Sequence, residues 1–195
     1  MSLFKKKIDF AQFVANLIQF DIDFLENDFN KMVVLADEYK ILSENDKADL
    51  YEKAQTLAVV DILLGCRQYL SDKISLDDIG ECVVVMYNRC LKEYKKVPEK
   101  EARSKTNMVF ELVSFMDKAT ADEEDFKERV DEDSLSPYGL QLLALTIGFS
   151  NYFAGEDPKG KNWEGKQFAA FKLAKAITQA DIVNQSLKNY IVIDN

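Results

Sequence analysis

The chain has 195 residues, of which 47% are hydrophobic and 30% are charged, and it contains no histidine. The absence of histidine excludes Ser-His-Asp and Cys-His catalysis, histidine-containing zinc sites and the Glu-x-x-His di-iron arrangement. A formal net charge of −9 argues against a nucleic-acid partner, because duplex binding depends on Lys and Arg that neutralise phosphates. No cofactor is predicted, although chemistry that uses only carboxylates, a lysine or Mg²⁺ does not require histidine and is not excluded.

The N-terminus and the cysteines together predict a cytoplasmic protein. Lys5 to Lys7 precede an amphipathic stretch rather than an uninterrupted apolar run, so we expect no signal peptide. Three lysines attract an anionic membrane only weakly, and a solvated terminus is favoured. Cys66, Cys82 and Cys90 have no metal-ligand spacing and imply no disulfide framework, so we expect buried, reduced thiols.

The first third of the chain is predicted to be helical. Apolar residues keep a helical spacing over 8–42, which indicates one long helix or two nearly collinear ones. A kink is expected near residue 21. Apolar and acidic residues also alternate over 20–24, so a short extended piece is the alternative there.

Two capping boxes predict the starts of the next two helices, at about residues 44 and 76. In each box a serine oxygen accepts an N-terminal amide, and an acidic residue follows three positions later. The first helix, over 44–71, is apolar nearly all round in its second half and is expected to be a core element. The second helix, from about residue 76, carries an apolar stripe as far as residue 97. The boxes are Ser43 with Asp46, and Ser75 with Asp78.

The segment after Pro98 is predicted to form a helix over 98–118, because proline suits a first helical turn. The acidic residues 117–133 that follow predict a short surface helix around Phe126 and Val130. A flexible acidic connection over 117–136 is the alternative, and it is the one plausible linker in the chain.

The last third begins with a strong helix signal, since Ser136 and Pro137 suit the N-cap and first helical positions. They predict a central helix over 137–154, whose apolar stretch of 14 residues is shorter than the roughly 20 that a membrane span needs. A loop is expected over 155–166. Helical spacing then resumes over 168–182.

Residues 190–193 are expected to be a frayed or extended tail. Taken together, the segments predict an all-α fold, a single-domain helical bundle or orthogonal array of about six to eight helices over residues 1–195.

The sequence partly matches a P-loop and contains acidic runs like those of calcium loops, but each lacks a residue that binding requires, so solvated segments are favoured. Residues 155–161 and 160–166 match the first seven positions of a P-loop, but neither match ends in the Ser or Thr that holds Mg²⁺. Neighbouring acidic residues would also repel phosphate. The acidic runs 21–30 and 122–133 lack the central glycine of a calcium loop.

Asp61 is the carboxylate that stands out, because helical spacing places it on the apolar face of its helix. A buried carboxylate should be paired or protonated, and perturbed carboxylates gather at functional sites. The structural alternative, which the sequence favours, is a bond to a helix cap or to Arg67 or Arg89. Asp21 and Asp28 allow the same two interpretations.

Trp163 is the only tryptophan, and it lies in the predicted polar loop. It could anchor a partner, although folding back onto its own domain is favoured.

The first functional hypothesis is a non-enzymatic interaction or regulatory protein with a protein partner or a second copy of itself, since abundant Phe and Tyr offer interface surface. The second hypothesis is a helical small-molecule-binding domain with an aromatic-lined pocket and a buried Asp61. A carboxylate-only Mg²⁺ enzyme is a third.

Overall fold

The computed structural model describes residues 5–33, 37–40, 42–121, 136–155, 159–160 and 162–194. Six helices of 14 to 27 residues dominate this part of the chain, which confirms the predicted all-α fold. In chain order the elements are β1 (Lys6–Asp9), α1 (Phe10–Val33), α2 (Asp37–Lys40), α3 (Glu44–Leu70), α4 (Leu76–Arg89), a π-helical turn (Cys90–Tyr94), α5 (Glu99–Ala121), α6 (Pro137–Ala154), α7 (Trp163–Thr178), α8 (Ile182–Leu187) and β2 (Tyr190–Ile193).

The predicted serine caps are confirmed at the starts of three helices. The side chains of Ser43, Ser75 and Ser136 each accept a hydrogen bond from the amide three residues later, at 3.2, 3.2 and 3.1 Å. In the two capping boxes the serine hydroxyl also donates to the carboxylate of Asp46 or Asp78. These bonds satisfy amides that would otherwise lack a partner in the first turn.

Two described helices lie within the range predicted for one long helix or two nearly collinear ones, namely α1 and α2. α1 begins at Phe10, two residues later than predicted, where the amide of Gln12 donates to Asp9 Oδ1 at 3.2 Å. It is helical through residues 20–24, so the extended alternative is wrong and residue 21 does not interrupt the helix.

The two chain ends meet in a parallel two-stranded sheet that pairs Lys6 with Tyr190 and Ile8 with Val192. The extended alternative for residues 190–193 is therefore confirmed and the frayed one is wrong. Lys5 to Lys7 are exposed, as expected for a solvated terminus, but Lys6 and Lys7 also belong to β1, which was not predicted. The amide of Lys6 extends the pairing by donating to Asn189 O at 3.1 Å, and the side chain of Val192 is buried. A four-residue strand whose partner is more than 180 residues away leaves too short a pattern to detect.

α3 is the central helix of the fold. Every residue over 54–66 is buried, and α3 contacts α1, α4, α5, α6, α7 and α8. The axis of α6 comes very close to α5 at Gly148, where an added Cβ would lie 2.8 Å from the amide nitrogen of Met116. No helix in the described ranges is both long and apolar enough to cross a membrane.

The predicted loop over 155–166 is shorter than expected, because α7 already begins at Trp163. Gly165 is buried within α7, and Lys166 Nζ lies 2.6 Å from Asp46 Oδ1. α5 extends to residue 121, beyond its predicted end. The short helix predicted around Phe126 and Val130 lies outside the described residues.

Candidate functional site

A cavity of about 620 Å³ lies between α1, the middle of α3, and the chain from the end of α7 to the start of β2. Its volume falls in the range of small-molecule sites, and its lining is mostly apolar with a few polar groups, as such sites usually are. α1 contributes one helical face, because its lining residues recur at intervals of three and four. These residues are Phe13, Asn16, Leu17, Phe20, Asp21, Phe24 and Leu25.

Aromatic rings lie both deep in the cavity and at its mouth. Phe13 is buried and meets Tyr190 edge to face, with the ring centroids 6.3 Å apart. Phe20 and Phe24 are 60% and 39% exposed, and their rings are nearly parallel at a centroid distance of 6.4 Å. The two exposed phenylalanines present apolar surface on the outer side of the cavity, whereas the buried Phe13 and the half-buried Tyr190 form another part of its wall.

Asp61 of α3 lines the cavity and is only 4% exposed. Its Oδ1 atom is buried and has no hydrogen-bond partner among the described residues. Neither arginine suggested by the sequence pairs with this atom: Arg89 Nε lies 2.8 Å from Glu93 Oε2, and Arg67 Nη2 lies beside Gly80. Burial raises the pKa of Asp61 to about 8, and the negative charges of Asp21 and Asp181 add to this.

Asp21 supplies a second carboxylate to the cavity from α1. It is half-buried, and burial raises its pKa to about 7. At neutral pH both cavity acids are therefore substantially protonated, so they can donate hydrogen bonds or, when ionised, bind a cation. The side chain of Asp28 lies outside the described residues.

Asp181 is the third acid of the group, and no pattern in the sequence distinguishes it from other surface acids. It precedes α8 in a left-handed conformation with φ of 43°, next to the lining residues Ala180 and Ile182. Its Oδ2 atom accepts hydrogen bonds from Tyr69 and Asn184, both at 2.9 Å. Its Oδ1 atom is buried without a partner in the described part of the chain.

The three carboxylates do not form a metal site. Among the described residues, no group of three or more His, Cys, Asp or Glu side chains is arranged to hold a metal ion. Asp23 and Glu26, which belong to the acidic run considered for calcium, instead face Lys95 at 3.3 and 2.6 Å. Asp21 and Asp61 are therefore separate hydrogen-bonding groups of the cavity lining rather than members of a shared coordination sphere.

The structure does not bring Trp163 and Asp61 together. Trp163 is not part of the cavity lining, and its indole nitrogen donates to Gly155 O at 2.7 Å. The indole donor is therefore used within the chain. Several polar residues at the cavity rim were not predicted either, because they lie on the short α8 and the turn after it: Gln185, Ser186 and Asn189.

Comparisons of the chain with protein-family models, curated proteins and solved structures found no match.

Proposed function

We propose that this protein binds a small, largely apolar molecule in the cavity between α1, α3 and α8. The observation that carries the proposal is Asp61, whose buried Oδ1 atom lacks a partner while the residue borders an apolar cavity. Leaving a buried polar atom unpaired costs about 1–3 kcal/mol, and a ligand that hydrogen-bonds to it would recover that cost. The second hypothesis drawn from the sequence is thus the one that the geometry supports best.

The proposed role is binding in the cytoplasm without chemical conversion of the ligand. Histidine, the usual general acid or base near neutral pH, is missing from the whole sequence. Cys66 is buried, Cys82 and Cys90 are half-buried, and all three are free thiols, which is what a reducing compartment would maintain. Burial raises the pKa of Cys66 to about 12 and that of Cys82 to about 11. Such thiols are nearly all protonated at neutral pH and therefore unreactive.

A fluorescence titration with Nile red, a neutral apolar dye, tests the proposal directly. We expect saturable binding with enhanced emission, and a loss of about tenfold or more in affinity for Ala176→Trp, because the new side chain occupies the cavity. Ala176 is exposed and lines the cavity, so this substitution spares the core. Ala48→Trp, at an exposed position on α3 outside the cavity lining, is the matched control and should bind like the wild type.

Two results would contradict the proposal. One is the absence of saturable dye binding by the folded wild-type chain. The other is equal affinity for Ala176→Trp and Ala48→Trp, which would place the dye elsewhere.

Self-association is the second candidate function, and the exposed aromatic pair at the cavity mouth favours it. Phe20 and Phe24 are large apolar side chains exposed side by side on α1. A second copy of the chain that covered this pair would remove apolar surface from water. Sedimentation velocity of the wild type and of Phe20→Ser tests it, since a dimer that uses this face should dissociate in the variant. A wild-type monomer at every concentration would exclude it.

A further inference from the structure

We infer that the ligand is an amphipathic amine, whose protonated amino group lies beside Asp61 and Asp21 while its apolar body contacts the aromatic walls. The inference rests on the proposed function and names the chemical class of its ligand. It is drawn from the charge of the cavity, the unpartnered oxygen of Asp61 and the arrangement of the aromatic rings.

The charge distribution around the cavity favours a cation. Asp21 and Asp61 line it, and Asp181 acts on Asp61 through its charge from beside the lining. No Lys or Arg occurs among the described residues that line the cavity. In their ionised form these carboxylates would repel an anionic ligand, whereas an ammonium group would favour that ionised form, provide the missing donor for Asp61 Oδ1 and offset the mutual repulsion of the acids.

The walls distinguish an organic amine from a hydrated inorganic cation. Three phenylalanines and Tyr190 line the cavity, and aromatic faces attract ammonium groups while their edges and neighbouring aliphatic groups pack against hydrocarbon. The volume of about 620 Å³ far exceeds that of a single ammonium group, so most of the ligand must be an apolar body. A small metal ion would leave this apolar surface uncovered.

Titration of the acids should regulate binding of such an amine. The groups that act on Asp61 are Asp21 from α1 and Asp181 ahead of α8, and Tyr69 and Tyr138 in turn sense the charge of Asp61. Because burial raises the pKa of Asp61 to about 8 and that of Asp21 to about 7, acidification below neutrality protonates both and removes the charge that attracts an ammonium group. Amine affinity should therefore fall as the pH falls.

Isothermal titration calorimetry with three probes of equal chain length tests the inference on the full chain. Octylamine, 1-octanol and octanoate share an apolar body and differ in charge. At about pH 8 we expect octylamine to bind about tenfold more tightly than 1-octanol, with octanoate the weakest. Between about pH 8.5 and about pH 6 the affinity for octylamine should fall by about tenfold or more, while that for 1-octanol stays constant.

The variants Asp61→Asn and Asp21→Asn should each lose most of the preference for octylamine over 1-octanol. Asp21 is half-buried, so its variant keeps the test available if Asp61→Asn fails to fold. Asp72→Asn, at an exposed position between α3 and α4, is the control that removes the same charge outside the cavity lining and should keep the preference.

The outcomes separate the ligand class from the binding function. Equal or tighter binding of 1-octanol, or a preference that survives in both cavity variants, would overturn the amine inference and leave the binding proposal intact. Saturable Nile red binding without any octylamine binding would have the same meaning. Failure of Nile red and of all three probes would overturn both.

Discussion

Replacing Asp61 by asparagine should change how the stability of the protein depends on pH. The pKa of this carboxyl is raised from 3.8 to about 8 by burial and by the neighbouring carboxylates. Between these two values the folded protein holds a proton that the unfolded chain has released, so the contribution of Asp61 makes the free energy of unfolding fall as the pH rises. Asparagine cannot titrate, and the variant should lack this component.

The size of the effect of Asp61→Asn on the free energy of unfolding follows from the width of the pH range between the two pKa values. From about pH 5 to about pH 8 the difference in unfolding free energy between variant and wild type should grow by about 1.4 kcal/mol per pH unit, or about 4 kcal/mol in total. An unpaired amide in the variant costs about 1–3 kcal/mol, but this cost is the same at every pH and cancels in the comparison. A change of this size is a large share of the stability of a typical domain.

Urea denaturation followed by circular dichroism at several pH values measures the difference. The Asp72→Asn variant controls for the loss of one negative charge, because its carboxylate is exposed. We expect the Asp61→Asn curve to diverge steadily from the wild type and the Asp72→Asn curve to run parallel to it. A stability difference for Asp61→Asn that is constant from about pH 5 to about pH 9 would refute the assignment of Asp61 as a buried neutral acid.

Three further predictions concern the fold. Gly148→Ala should destabilise the protein by about 1–3 kcal/mol, because the added Cβ would overlap the backbone of α5. Its control is Gly80→Ala, which has room for a Cβ and should not lower the melting temperature. Ser75→Ala should cost about 1 kcal/mol in urea denaturation through the loss of the N-cap, and an unchanged midpoint would contradict this role. Cys66 and Cys82 should react slowly with Ellman's reagent until the protein is unfolded, so rapid modification of both in the native protein would show that they are accessible.

The helices were predictable because their signals are local. A serine cap such as Ser43 acts on an amide three residues away, and the apolar stripe of each helix repeats within a few turns. The pairing of β1 with β2 was not predictable, since the hydrogen bonds between Lys6 and the region of Tyr190 join opposite ends of the chain. The start of α7 at Trp163 was not predicted, because the glycines and lysines in this segment are typical of a loop.

The candidate site was only partly predictable for a related reason. Asp61 could be selected because one acid interrupts an apolar helix face, and Asp21 could be named for the same pattern in α1. Asp181 could not be selected, since its proximity to Asp61 depends on how α8 packs against α3. Whether an aspartate pairs with an arginine or faces a cavity depends on tertiary contacts that spacing along one helix does not encode.

The same packing makes the two sides of the cavity differ in how firmly they are held. The wall formed by α8 is held tightly on α3, because an added Cβ at Gly65 would lie 2.7 Å from Val183 Cγ2. The far end of that wall is held by β2, which begins at the lining residue Tyr190 and pairs with β1 directly ahead of α1. Phe20 and Phe24 are instead exposed, and exposed side chains change rotamer within nanoseconds. The proposed ligand would therefore contact rings that can change rotamer on the α1 side of the cavity, and a wall fixed by helix packing and by the sheet on the α8 side.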